Sequence, residues 1–185
     1  MQLLTAVNSI LPKLGEHPVT SLESKNPTLG VILPEIDAEI GMLLKPGWWF
    51  NTFRVELYPN SEQEIDVPLD TLSFIADAQC PMTVQRGEKF YNGETRSYKF
   101  TSKVTGVLRQ RMAFEELPES AAEFVLYSSL VTIYATDIGL EKTVDLWRQY
   151  AQQAQANMEQ EHLRQVKLTI KSSPRYAHRR RAMRG

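Results

Sequence analysis

FEELPESAAEFVLYSSLVTIYATDIGLEKTVDLWRQYAQQAQANMEQEHLRQ, residues 114–165, is the segment around which the chain is organised. It opens Phe114-Glu115-Glu116-Leu117-Pro118-Glu119-Ser120. Ser120 with Glu123 three residues later fits a capping box, and Pro118 suits a first helical turn. The run 121–138 is apolar on nearly every side, which predicts a helix surrounded by protein. Gly139 supplies a left-handed stop. A second helix follows at once, with Leu140, Val144, Trp147, Ala151, Ala154 and Met158 forming one stripe and Glu, Lys, Arg and Gln the wet face. The short link predicts an antiparallel pair. Two such helices cannot bury their apolar faces alone, so the rest of the chain must cover them.

Upstream, Leu4, Val7, Ile10, Leu11 and Leu14 share one helical face that Gly15 ends, with Pro12 predicting an early stop. Asn26-Pro27 is a helix start. Leu29, Ile32, Leu33, Ile36, Ile40, Leu43 and Leu44 recur at helical spacing after it, and Pro46-Gly47 stops the helix. Pro34 predicts a kink there or a later start.

From Trp48 the character changes to aromatic and β-branched residues punctuated by Pro, Asn and Gly. Strands are predicted at 52–58, 65–67, 72–76, 83–86, 89–91, 98–100 and 104–112. Residues 83–86 and 89–91 pair across Gly87, and Asn92-Gly93 is a further turn. The predicted fold is α+β: an antiparallel helical bundle made of N- and C-terminal helix pairs, a mostly antiparallel inserted β domain, and an extended basic C-terminal tail. The divisions are 1–47, 48–113, 114–167 and 168–185.

A length of 185 residues with 42% hydrophobic content supports one sizeable core or a domain with an insertion. No apolar run approaches the ~18 residues of a membrane span. Met1-Gln2-Leu3-Leu4 has no signal-peptide pattern. A lone cysteine, Cys80, points to a reducing place of synthesis. Of the 21 Lys plus Arg, seven lie in 167–185, which leaves 14 in 1–166 against all 22 Asp plus Glu, a net of −8. The chain is therefore an acidic body with a basic tail.

The chemistry-bearing motifs argue against an enzyme, a metal or a cofactor. His17, His162 and His178 are far apart, and there is no HExxH, GxGxxG, P-loop, GxSxG or zinc spacing. Cys80 reads as a buried small hydrophobe. Glu115 and Glu116, as an acid–base pair, are outweighed by the ordinary preference for acids at a helix start. Trp48 and Trp49 read as sealing the join between helices and strands rather than as a ligand-stacking site. The hairpin Gln85-Arg86-Gly87-Glu88-Lys89-Phe90-Tyr91 is either a solvated hairpin or an edge that pairs with another chain. The tail has three readings: a solubility tail, a phosphate contact for nucleic acid, or an arm that docks on an acidic partner with Tyr176 as anchor.

Taken together, Ala6-Val7-Asn8-Ser9-Ile10-Leu11, Gly15-Glu16-His17-Pro18-Val19, Ser21-Leu22-Glu23, Gly47-Trp48-Trp49-Phe50-Asn51, Val84-Gln85-Arg86-Gly87 and Phe114-Glu115-Glu116-Leu117-Pro118-Glu119 resemble, in family order, the tail tubular protein A family. These are head–tail adaptors of short-tailed bacteriophages. The resemblance covers residues 4–165. Pro12 and Pro34 depart from the uninterrupted helices it leads one to expect, and the chain is slightly short for it.

The resemblance implies a structural virion protein of the tail, synthesised in the bacterial host cytoplasm and forming a ring of twelve copies. One face of the ring would bind the portal protein and the other the tail nozzle protein. Double-stranded DNA would pass through without specific binding, and no membrane or cofactor would be involved. It further implies that the C-terminal segment grips the portal through Arg175, Tyr176, Arg179, Arg180 and Arg181. It places Gln85, Arg86, Gly87, Glu88, Lys89, Phe90 and Tyr91 at a nozzle or subunit interface. An acidic body suits a channel wall that repels phosphates. The alternative is a nucleic-acid-binding regulatory protein using the basic tail, marked by a steep salt dependence.

Overall fold

The computed structural model describes residues 1–137, 139 and 142–166. The fold is α+β, with four α-helices and antiparallel sheets among the described residues. Helix α1, Leu3–Ile10, buries Ala6, Val7 and Ile10. Pro12 has no N–H for the bond that would continue α1, so Leu11–Leu14 tightens into a 3-10 turn. Gly15 closes it in the left-handed region, φ 82°.

Helix α2, Leu29–Leu44, is preceded by the Asn26 side chain, whose Oδ1 accepts the Thr28 N–H at 2.8 Å. It runs through Pro34 rather than starting after it. The carbonyl that loses its N–H partner to Pro34 belongs to Gly30, which is exposed, so water can serve it. Leu29, Ile32, Ile36, Ile40, Leu43 and Leu44 are buried.

Helices α3, Glu119–Asp137, and α4, Lys142–Gln165, lie antiparallel. Ser120 Oγ donates to Glu161 Oε2 at 2.9 Å, and the rings of Tyr127 and Tyr150 and of Tyr134 and Trp147 meet at 5.2 and 4.9 Å. The expected stripe is buried at Val144, Trp147, Ala151, Ala154 and Met158, while Leu140 lies outside the described residues. The capping box predicted at Ser120 and Glu123 does not form. Helix α3 starts at Glu119, two residues before the expected Ala121, so Ser120 sits inside the first turn and its hydroxyl serves α4 instead. All four helices contribute to one apolar core, whose residues include Val7, Ile32, Leu44, Val125, Leu130, Trp147 and Met158.

Strands β1, Thr52–Leu57, and β2, Thr71–Ala76, flank the central β5, Val104–Gln110. Both pairings are antiparallel, with Val55 opposite Gly106 and Phe74 opposite Leu108. A Cβ at Gly106 would fall 2.4 Å from the Ile75 carbonyl oxygen and 2.6 Å from the Phe74 ring, so only glycine lets β2 approach this closely. Strands β3, Thr83–Arg86, and β4, Lys89–Asn92, form the expected hairpin. Gly87 takes φ 63° at the first turn position, as a II′-type hairpin turn requires.

The strand predicted at 98–100 is absent, and residues 65–67 hold only a single bridge, Asp66 to Lys89. Asn92 Oδ1 ties up the turn through the N–H groups of Glu94 and Thr95, and Phe100 instead donates to the Gln63 carbonyl at 2.8 Å. A second, smaller core gathers Ile65, Phe90, Phe100 and Val104 between hairpin and sheet. Cys80 packs against it half-buried, and its Sγ accepts the Thr105 N–H at 3.3 Å.

Candidate functional site

The two cores meet at a joint built around Asn51, which is fully buried. Its Nδ2 donates to the carbonyls of Leu44 and Gln110 at 3.1 Å each, and its Oδ1 accepts the Trp48 N–H at 2.7 Å. The Gln110 N–H returns to the Asn51 carbonyl at 3.0 Å. One side chain thus ties the end of α2 to the end of β5. Gly47, at φ 85°, turns the chain there, and a Cβ on it would strike Arg109 Nε at 2.4 Å. Arg109 Nη1 donates to the Lys45 carbonyl at 3.1 Å, and Arg111 Nη2 donates to the carbonyl and carboxylate of Asp37. Two arginines leaving β5 therefore clasp α2.

Trp48 Nε1 donates to the Leu43 carbonyl at 2.7 Å, and the indole packs edge-on against His162 of α4 with ring centroids 5.4 Å apart. Trp49 lies 6.0 Å from the same imidazole. Both tryptophans pack on the helical core, as the join-sealing reading expects. Beside them Glu39, Met42, Leu43, Pro46, Trp48, Phe124, Gln155 and Met158 line a dent of about 310 Å³. Its one carboxylate, Glu39, is raised above the usual range by burial, then by nearby Glu35, against a hydrogen bond from Thr132. A raised acid favours folding while protonated. That contribution is complete below the ordinary carboxylate value of 4.5 and fades as pH climbs through the folded-state value. Glu39→Gln should therefore leave the melting temperature unchanged at pH 4 and stabilise by about 0.5 kcal/mol at pH 8, a small effect because the hydrogen bond from Thr132 offsets part of the cost of burial. Thermal melts at the two pH values check it.

The hairpin is split by burial. Gln85, Arg86, Gly87 and Glu88 are exposed, whereas Phe90 is fully buried in the second core. The Arg86 guanidinium lies over the Tyr91 ring at 3.7 Å, and Tyr91 meets Tyr98 at 5.2 Å. Lys89 is ion-paired with Glu64, which also holds Lys99 at 3.2 Å. The hydrogen bond from Lys89, then that from Lys99, keeps Glu64 below the usual carboxylate range. Among the described residues strand β3 pairs with β4 alone, so its other edge has no strand partner.

The tail residues Arg175, Tyr176, Arg179, Arg180 and Arg181 lie outside the described residues. Glu115 Oε1 accepts the Leu3 N–H and Glu116 Oε2 the Ala113 N–H, so the acid pair is spent on backbone donors. Among the described residues no group of His, Cys, Asp and Glu could hold a metal ion. The sequence reading missed Asn51 as the tie and Arg109 and Arg111 as the clasp. Basic residues two apart at a strand end were the available signal for the clasp.

A family model described as tail tubular protein matches residues 4–168. The chain belongs to the tail tubular protein family. It is 30% identical over 185 residues to tail tubular protein A of Klebsiella phage KP34, covering 100% of this chain and 98% of that one. Against this relative, then, it is not short. Tail tubular proteins are structural proteins of the phage tail rather than a family of enzymes, and this chain is a component of the virion tail. No helix among the described residues is long and apolar enough to cross a membrane.

Proposed function

We propose that this tail tubular protein is a head–tail adaptor. Twelve copies form a ring between portal and tail nozzle, and double-stranded DNA passes through the ring during ejection without being held. The observation that carries this reading is the end-to-end likeness to a tail tubular protein A. Three features of the chain support it. The net of −8 over residues 1–166 disfavours retention of DNA phosphates on the body. The tie at Asn51 and the clasp of Arg109 and Arg111 on α2 stiffen the link between helices and strands, which suits a part that transmits load. The open edge of β3 and the exposed tip Gln85–Glu88 offer a surface for a neighbouring subunit or the nozzle, with Lys89 and Tyr91 behind it and Phe90 as its buried anchor.

In this reading residues 1–47 and 114–167 form one bundle and 48–113 the β domain. Residues 168–185 are an arm whose Arg175, Tyr176, Arg179, Arg180 and Arg181 contact the portal. Particle mass by light scattering, alone and with the portal of the same phage, tests it. About one copy should join per portal subunit, and removal of residues 168–185 should abolish the joining. A protein that ignores the portal yet binds duplex DNA with a steep salt dependence would instead be the regulator.

A further inference from the structure

The hairpin tip and the loop at 66–71 enclose an open cleft of about 450 Å³. One wall is Asp66, Val67, Pro68, Leu69, Asp70 and Thr71, and the other is Gln85, Gly87 and Glu88. The cleft offers an incoming chain three things. The first is backbone. Because Arg86 faces Lys89 across a two-residue turn and Val84 faces Tyr91, the N–H and C=O of Gln85, a residue of the cleft wall, point away from β4, on the hairpin edge opposite the one that Asp66 bridges. Among the described residues no hydrogen bond uses them. The second is an apolar anchor. Leu69, 87% exposed, is the most exposed of the large hydrophobic side chains among the described residues, and it stands on the lip. The third is charge. Asp66, Asp70 and Glu88 line the cleft with no basic residue among its walls, and none of the three is in an ion pair among the described residues. The nearby Lys89 is committed to Glu64.

An unpaired strand edge with an apolar lip accepts an extended peptide as an added strand, and three carboxylates outside any ion pair, of which Asp66 accepts a hydrogen bond from Asn60, select a basic one. The chain carries such a peptide. Residues 167–185 hold seven basic residues and no acidic one. Fully extended they reach about 60 Å, more than the width of about 40 Å expected for a compact body of this size. Tethering also gives the segment an effective concentration near millimolar. We propose that, in the free protein, the basic segment 167–185 docks in the acidic cleft of its own chain beside β3. The arm is thereby held on the body until a better partner takes it. Docking does not depend on the ring or on the portal, so it can fail while the adaptor reading stands, and the reverse.

The test uses the full chain with Cys80→Ser, which keeps an acceptor for the Thr105 N–H, plus Gln85→Cys, at an exposed position of the cleft wall that leaves Leu69 in place, and Ser173→Cys. Dilute oxidation should give an internal disulfide. Adding Asp66→Asn, Asp70→Asn and Glu88→Gln should slow its formation about tenfold, as should 0.5 M salt or an excess of free peptide 167–185. All three added substitutions are at exposed positions, and a thermal melt confirms that this variant is folded. Equal rates in the two backgrounds would overturn the proposal. So would disulfides formed only between chains, which would place the segment on a second copy.

Discussion

Replacing Asn51 with alanine should lower the unfolding free energy by about 4 kcal/mol and the melting temperature by about 10 °C. The change removes one acceptor and two donated hydrogen bonds in a fully buried place. It leaves the carbonyls of Leu44 and Gln110 and the Trp48 N–H short of a partner. Each buried polar group left unmade costs about 1–3 kcal/mol, which is why the loss exceeds that of an ordinary surface substitution. Asn51→Asp separates the two halves of the effect. It keeps the acceptor for Trp48 but turns a carboxylate toward two carbonyl oxygens, so it should be at least as harmful at neutral pH. Urea unfolding of the purified chain reads both. A loss under about 1 kcal/mol for Asn51→Ala would mean that the joint is held by the two arginines and the tryptophans instead.

Phe90→Ala should cost about 4 kcal/mol, within the range for deleting a buried aromatic ring. Among the described residues the second core has four buried apolar members, and Phe90 is the one on the hairpin, 5.0 Å from the Phe74 ring of the sheet. So small a core cannot collapse around the void. Phe90→Leu should cost about 1.5 kcal/mol, because most of the volume returns. Limited proteolysis should cut the hairpin of the alanine variant first while the helices stay protected. Equal protection of hairpin and helices would show that the β part does not depend on this ring.

Local signals carried the reading far where the physics is local. The α4 stripe was legible because helical period alone sorts Val144, Trp147, Ala151, Ala154 and Met158 onto one side. The hairpin was legible because Gly87 can take a left-handed φ between two alternating runs. Pro12 marked the tightening of α1 because a missing N–H acts within one turn. At Pro34 the helix runs on instead of starting later, since the carbonyl left without a partner belongs to Gly30, which is exposed to water. Ser120 looked like a cap by its neighbours, yet its partner, Glu161, lies 41 residues away. The strand expected at 98–100 failed for the same reason, because Phe100 is claimed by Gln63 in a distant loop. Asn51 could be quoted as part of a motif, but its role depends on Gln110, 59 residues on, and that of Arg111 on Asp37, 74 residues back.

Helical and strand segments, an acidic body against a basic tail, and the family all follow from the order of residues, because period, turn chemistry and charge are properties of neighbours along the chain. The joint, the depth of Phe90 in a second core, and the cleft between residues 66–71 and the hairpin tip arise only when strands distant in sequence are brought into register. Burial and hydrogen-bond satisfaction are settled by which backbone groups meet in space, and no local window contains both partners.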